Sequence, residues 1–178
     1  MGKFWSGFVV GILALFVAVI LSAVAGIIPV ATNSGPLPME RWLAKTALHA
    51  KLRSARGVLS PIPPTAANLL AGAQVYNTHC AVCHGSQPHP VTAISMGMYP
   101  PPPALWTQRG MVTDDPVGVT HWKVQNGIRL TGMPSFSGSL TATQMWQVSL
   151  LLRNADHLPA SVTAALAPPP ATTPPPSH

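Results

Sequence analysis

Charged side chains are scarce in this sequence. Of 178 residues, ten are Lys or Arg and four are Asp or Glu, a charged fraction of 8% where soluble domains average about 25%. Cysteine is scarcer still, and its two residues cannot build a disulfide framework. The composition therefore excludes a chain that folds throughout as an ordinary solvated domain. It also leaves the core to be held by burial, a metal or a cofactor.

Negative charge is especially rare, and the net charge is +6 at pH 7 with histidine neutral. A basic chain invites a nucleic-acid interpretation, so the position of the charges matters. Residues 1–64 hold six basic residues against Glu40, whereas residues 65–178 hold four basic and three acidic residues. The excess lies in the first third, and the rest has no dense stripe of Lys and Arg with interleaved aromatics. The sequence therefore disfavours nucleic-acid binding.

Residues 4–28 carry no charged side chain, and a helix needs roughly 20 apolar residues to cross a bilayer. The competing interpretation is a cleaved signal peptide, because Ala23, Val24 and Ala25 form an Ala-x-Ala site. The apolar run is longer than that of a typical signal peptide and continues past this site to Val30. We therefore predict a retained transmembrane anchor over residues 1–30.

The segments on either side of the central domain are rich in proline. Residues 31–64 are predicted to form a basic amphipathic helix over residues 39–56, followed by a stiff linker over residues 60–64. Two interpretations of the helix stay open: it covers its own domain, or it lies on anionic lipid headgroups or a partner subunit. Residues 159–178 are almost entirely Ala, Pro, Thr and Ser, and we predict a disordered tail.

The remaining residues, 65–158, are predicted to form one helical domain. A first helix is expected over residues 66–79 after the N-cap Thr65, and a middle helix over residues 115–127. Thr141 and Gln144 form a capping box for a last helix, with Leu140 and Met145 as its hydrophobic staple. No segment alternates convincingly as a strand does, so the predicted fold class is all-α.

The chemistry begins with Cys80-Ala81-Val82-Cys83-His84, which has the Cys-x-x-Cys-His pattern of c-type haem attachment. Two thiols three residues apart can reach the two vinyl groups on one porphyrin edge. The adjacent histidine is then carried under the ring, where its imidazole nitrogen meets the iron. Both cysteines of the chain are used, so the sequence predicts one haem c, attached covalently through Cys80 and Cys83.

Two other uses of the motif fit less well. A thioredoxin-like Cys-x-x-Cys expects a βαβ surround, which the sequence does not show. A zinc site needs four ligands, and Cys80, Cys83 and His84 leave the fourth unexplained.

A second signal lies about 50 residues downstream, in Thr131-Gly132-Met133-Pro134. Methionine between Gly and Pro lies in a constrained loop, where Gly allows close backbone approach and Pro fixes the exit. Its thioether can reach the iron from the side opposite His84. A soft sulfur ligand raises the potential, and a closed sixth position disposes the iron to electron transfer.

With both motifs in place, residues 65–158 resemble the small single-haem c-type cytochromes of the class I type. The resemblance rests on Gly72, Tyr76, residues 80–84, residues 132–134 and Trp146. It implies a cytochrome c-like haem domain, preceded here by the transmembrane and amphipathic helices. In that fold the first and last helices cross around the haem, which would place Gly72 and Tyr76 against Trp146 and Leu150. His84 is then the proximal iron ligand and Met133 the distal one.

The sequence departs from the family pattern in a charge-poor insert, residues 86–103, which we expect to wall a haem edge. By analogy with the family loop that follows, Tyr99, Trp106 and Arg109 are candidate donors to the haem propionates, with Arg129 an equal contender. Alternatives to Met133 as iron ligand are Met96, Met98, Met111, His89 and His121.

The predicted function is single-electron transfer without catalysis. The chain would carry electrons between membrane-bound redox complexes, or serve as the haem subunit of one. Because haem attachment in this family occurs on the oxidising side, we expect a single-pass protein of a bacterial inner membrane, with the haem domain in the periplasm. The alternative is a haem enzyme or ligand sensor, peroxidase-like, with a displaceable sixth ligand.

Overall fold

The structure, a computed structural model, describes residues 2–87, 91–106 and 112–166, and within these ranges the chain forms helices and no strand. The all-α prediction is confirmed. The α-helices are α1 (Gly2–Val24), α2 (Glu40–Leu52), α3 (Ala66–His79), α4 (Ala81–His84), α5 (Ala93–Met96), α6 (Val117–Asn126), α7 (Ala142–Arg153) and α8 (Ala160–Leu166). The chain divides into two compact units, Met1–Arg41 and Trp42–His178.

The first unit is dominated by α1. This helix has no buried residue, and it is long and apolar enough to cross a membrane. A signal sequence passes the same test of length and composition. The finding therefore supports an N-terminal apolar segment. The retained anchor stays a prediction from the sequence, with a cleaved signal peptide as the alternative.

The basic helix is shorter than expected, because α2 ends at Leu52 and a 3₁₀ turn, Arg53–Ala55, replaces its last turn. Leu52 and Ala55 are buried with Val119 of α6. At Gly118 a Cβ atom would overlap the backbone carbonyl of Ala55, so the two segments touch through their main chains. The end of this region thus covers its own domain, one of the two interpretations left open above.

Helix α3 has the predicted bounds. Thr65 is its N-cap, with a side chain that accepts a hydrogen bond from the Asn68 backbone N–H at 3.3 Å. One face of the helix is buried, through Leu69, Gly72, Ala73, Val75 and Tyr76. This face is the first half of the core.

Helix α7 supplies the second half and also begins as predicted. Thr141 accepts from the Gln144 backbone N–H at 3.3 Å, and the Gln144 side chain accepts from the Thr141 backbone N–H at 2.9 Å, which completes the capping box. Leu140 and Met145 are both buried. Helix α6 follows Pro116 and ends at Gly127, whose φ of 66° is in the left-handed region that favours glycine.

The crossing of α3 and α7 depends on Gly72. A Cβ atom there would overlap the Gln147 carbonyl and lie 3.1 Å from Leu151 Cβ. The atoms nearest Gly72 thus lie one residue further along α7 than the Trp146 and Leu150 expected from the family resemblance. Only glycine lets the two backbones approach this closely.

The prediction of a disordered tail over residues 159–178 is wrong for Ala160–Leu166, which form α8. Val162 and Leu166 lie one helical turn apart and are buried, and the Asn77 side chain donates to the Ala165 carbonyl at 2.6 Å. The Ala- and Pro-rich composition concealed two apolar residues at helical spacing, enough to bury a short helix against α3. The folded domain therefore extends beyond residue 158.

Candidate haem site

Cys80, Cys83 and His84 lie on one helical turn that directly follows α3. The Cys80 backbone N–H still donates to the Tyr76 carbonyl at 2.8 Å, and the backbone N–H groups of Cys83 and His84 donate to the Cys80 carbonyl at 3.1 and 2.9 Å. Gly85 ends the turn with a φ of 73°. The spacing of the motif is thus fixed by its own backbone, which aligns the two thiols and the imidazole.

The His84 ring is oriented by the end of the insert. Its Nδ1 lies 2.8 Å from the Pro103 carbonyl oxygen. A carbonyl can only accept, so Nδ1 carries the proton and donates, which leaves the lone pair on Nε2. Burial lowers the pKa of His84 and favours the neutral ring. A neutral imidazole oriented through its second nitrogen is the form in which histidine binds a metal.

Cys80 and Cys83 are not joined by a disulfide. Burial raises the pKa of Cys80 to about 12, and the neighbouring Cys83 adds to the effect. A thiol in this environment stays protonated at neutral pH, and it is unreactive in that form because the thiolate is the reactive species.

The zinc interpretation requires a cluster of ligands. Within the described ranges no three His, Cys, Asp or Glu residues gather as metal ligands. The zinc interpretation therefore finds no complete ligand set there.

Tyr76 ties α3 to the chain that follows the motif. Its hydroxyl donates to the Gly85 carbonyl at 2.7 Å, and its ring meets Trp106 edge-on, with centroids 5.1 Å apart and planes at 83°. The tyrosine is fully buried, and burial raises its pKa well above the ordinary value. We call residues 80–85, with Tyr76 and Pro103, the histidine side of the site.

Met133 lies in a loop, residues 128–134, which we call the methionine loop. Its hydrogen bonds are local: Ile128 N–H donates to the Met133 carbonyl at 3.1 Å, the Thr131 hydroxyl donates to the Ile128 carbonyl at 2.6 Å, and Met133 N–H donates to that hydroxyl at 3.1 Å. Leu130, with a φ of 60°, is 91% exposed at the tip. Met133 is half-buried and packs against the main core. Its role as an iron ligand stays a prediction.

Two buried polar atoms bear on the propionate prediction. The Tyr99 hydroxyl and the Trp106 indole N–H are shielded from solvent, and neither has a hydrogen-bond partner within the described residues. A buried donor without a partner costs about 1–3 kcal/mol, so such atoms mark where an acceptor belongs. A haem carboxylate could satisfy both, and the role of Tyr99 and Trp106 as propionate donors stays a prediction. Arg109, the third predicted donor, lies outside the described residues, and Arg129 is exposed.

The other candidate ligands are distributed unevenly. Met96 is 74% exposed, whereas Met98 is half-buried. His121 is stacked on Trp146, with ring centroids 3.7 Å apart, and its buried Nε2 has no partner within the described residues. His89 and Met111 lie outside those residues.

Three site contacts escaped the sequence analysis: the Tyr76 hydroxyl on Gly85, the Pro103 carbonyl on His84, and Met98 against Gly132. The first two lie across nine and 19 residues. No periodicity marks a contact made through a proline-rich insert. The available signal was chemical: a metal-binding histidine needs an acceptor for its second nitrogen.

Comparison with known families gives a match that includes the candidate site. Residues 67–150 match the family described as cytochrome C oxidase, cbb3-type, subunit III. The match covers a little under half of the chain and includes α3, the cysteine motif, the insert, the methionine loop and most of α7. No curated protein matches the sequence. Residues 67–150 are thus similar to a c-type cytochrome domain, and an apolar helix, α1, precedes them in the chain.

Proposed function

We propose that this chain is a c-type cytochrome, a membrane-anchored carrier of single electrons between membrane redox complexes, or the haem subunit of such a complex, in the periplasm of a bacterium. Cys80 and Cys83 would attach one haem c, His84 and Met133 would ligate its iron, and the group would supply one-electron redox chemistry. The observation that carries the proposal is the Pro103 carbonyl on His84 Nδ1, which leaves Nε2 as the ligand atom.

The chain's own residues shape the site for electron transfer. Tyr76 and Pro103 hold the cysteine turn and the imidazole, so little rearrangement accompanies a change of charge at the site. Met133, as a thioether ligand, would leave no easy site for oxygen or peroxide and would favour the reduced state. The Tyr99 hydroxyl and Trp106 N–H would receive the propionates.

The surface around the cysteine turn supports a partner recognised without ion pairs. Residues 80–106 contain no Asp, Glu, Lys or Arg. Val82, Ile94 and Met96 are half or more exposed, and the Thr92 hydroxyl donates to the Val82 carbonyl at 2.8 Å, which joins these segments. Rates of electron transfer to the native partner should therefore change little with ionic strength. A steep fall with added salt would contradict this part of the proposal.

The N-terminal segment supports membrane attachment. α1 is apolar throughout, and α2 begins with exposed side chains, Trp42 at 61% and Leu43 at 62%, close to the basic Arg41 and Lys45. Tryptophan and basic residues together suit the headgroup region of an anionic bilayer. The N-terminal sequence of the mature protein, with alkaline extraction of membranes, tests this. A mature protein that begins after Ala25 and is released from membranes would refute the anchor.

The ligand set is tested on the purified holoprotein. Met133→Ala should remove the sulfur-to-iron charge-transfer band in the far red and lower the midpoint potential, because the thioether ligand is lost. Met96→Ala is the matched control, since Met96 is 74% exposed, and it should keep both. A Met133→Ala protein with an unchanged spectrum and potential would overturn the assignment. Purification in mild detergent then separates a lone carrier from the subunit of a stable complex.

A further inference from the structure

The insert between the two ligand motifs is attached to the histidine side at both ends. Near its start, the Thr92 hydroxyl donates to the Val82 carbonyl at 2.8 Å and caps α5. At its end, the Pro103 carbonyl holds His84. Residues 92–103 are therefore held to the histidine side at both ends, and this attachment limits the movement of the side chains between them.

Met98 occupies that stretch and reaches the methionine loop. A Cβ atom built at Gly132 would overlap the methyl group of Met98 and lie 3.5 Å from its sulfur, and no other atom lies within 4 Å of that position among those described. The Met98 side chain thus packs directly on the bare backbone of the residue before Met133. Gly132 is small here because Met98 fills the space.

Nothing else described holds residue 132 from outside the loop. The hydrogen bonds of residues 128, 131 and 133 close within the loop itself, and Leu130 at its tip is exposed. After Gly132, Met133 packs against the main core, and hydrogen bonds to α6 follow from the Phe136 N–H to the Val124 carbonyl at 3.1 Å and from the Ser135 hydroxyl to the Gln125 carbonyl at 2.6 Å. Gly132 itself therefore has one described contact from the insert, the side chain of Met98.

We propose that Met98 is a positioning residue that holds the methionine loop closed and so limits displacement of Met133 by external ligands. The inference rests on the proposed function, in which Met133 is the sixth ligand. It assigns the insert a role in the stability of that ligand bond. Met98 acts by packing, and its sulfur is not required.

The test is imidazole binding to the ferric holoprotein, followed by loss of the far-red sulfur band. The exchange breaks the bond from iron to Met133 sulfur and forms one from iron to imidazole nitrogen, with no change of oxidation state. Met98→Ala should raise the apparent imidazole affinity about tenfold, or about 1.4 kcal/mol, a modest share of what truncating a buried methionine costs. Met98→Leu, which keeps the volume, should stay close to wild type. Met96→Ala, two residues away and exposed, is the matched control.

A double variant makes the contact itself testable. Gly132→Ala should push the Met98 side chain away and raise imidazole affinity as Met98→Ala does. In the double variant Gly132→Ala with Met98→Ala, the added methyl group occupies the space that Met98 vacates. The increase in imidazole affinity should therefore be smaller than the sum of the increases in the two single variants. Purely additive effects, or a Met98→Ala protein that binds imidazole like Met96→Ala, would overturn the inference.

Failure of the inference and failure of the proposed function give different results. If Met133→Ala keeps the sulfur band and Met98→Leu loses it, Met98 is itself the ligand, and both statements fall. If Met133→Ala loses the band while all Met98 variants bind imidazole like wild type, the ligand assignment stands and only the positioning role is overturned.

Discussion

The histidine side and the methionine loop are built by different means. Hydrogen bonds that cross the sequence hold the former, from the Tyr76 hydroxyl to Gly85 and from His84 Nδ1 to the Pro103 carbonyl. The latter is closed by bonds among its own residues and by the packing of Met98 on Gly132. His84 is thus held by a hydrogen bond to a distant part of the chain, whereas Met133 lies in a loop whose hydrogen bonds close largely on themselves. On heating or on addition of denaturant, the methionine loop should open before the histidine side does.

The largest loss of stability should come from Gly127→Ala, which forces the backbone next to the methionine loop to move. The residue has a φ of 66°, and a Cβ atom there would lie 2.6 Å from Pro134 C and Ser135 N. Left-handed strain and overlap together should cost about 2–5 kcal/mol. Thermal unfolding measures the loss, and the far-red band should weaken in the same variant. Unchanged stability would mean that the loop shifts freely, contrary to its self-closed hydrogen bonding.

A smaller loss is expected on the histidine side from Tyr76→Phe. The Gly85 carbonyl is buried and accepts from this hydroxyl at 2.7 Å, so removal of the donor should cost about 1–3 kcal/mol. Chemical denaturation measures it. The far-red band should persist in the folded variant, because the methionine loop is untouched. If the variant lost that band and kept its stability, Tyr76 would support the methionine loop and not the histidine side, contrary to the comparison above.

Thr131→Val tests the local bonding of the methionine loop. The hydroxyl donates to the Ile128 carbonyl at 2.6 Å and accepts from Met133 N–H at 3.1 Å. Its loss should cost about 0.5–1.5 kcal/mol. We expect a measurable rise in imidazole affinity, together with only a small fall in the unfolding temperature. Thr163→Val is the control, since that hydroxyl donates to the carbonyl of Pro159, just before α8, at 3.3 Å, and its loss should leave imidazole binding unchanged.

The smallest effect should come from His121, which belongs to neither side. Burial lowers its pKa from the ordinary 6.5, so the unfolded chain takes up a proton at a higher pH than the folded one. This contribution to stability is complete above pH 6.5 and is lost as the pH falls toward the lowered value. His121→Phe, which keeps a ring against Trp146, should therefore flatten the decline of unfolding temperature on acidification. Parallel curves for the two proteins would contradict this.

Local signals in the sequence predicted the main helices well. Thr65 and the pair Thr141 and Gln144 fix their helix starts by hydrogen bonds within three residues, and such bonds can be read from the chain itself. Helix α8 was missed because its evidence is two side chains, Val162 and Leu166, whose value depends on α3 being present to bury them. Composition averaged over the tail concealed that dependence.

The candidate site divides in the same way. The spacing of Cys80, Cys83 and His84 is local, so the attachment motif is evident from the sequence. Pro103 and Met98 meet His84 and Gly132 across 19 and 34 positions, respectively. Their contacts are set by the path of a proline-rich insert that has no helical or strand period. Only the three-dimensional structure can place them.

The docking of α8 has a consequence for the order of assembly. Cys80 packs against the same cluster that Val162 and Leu166 complete, and these two residues are synthesised long after the thiols. A chain folds from its N-terminal part as it emerges, so for an interval the cysteine motif exists without its final cover. A chain truncated before Ala160 should therefore keep the cysteine motif but lose part of the cluster against which Cys80 packs.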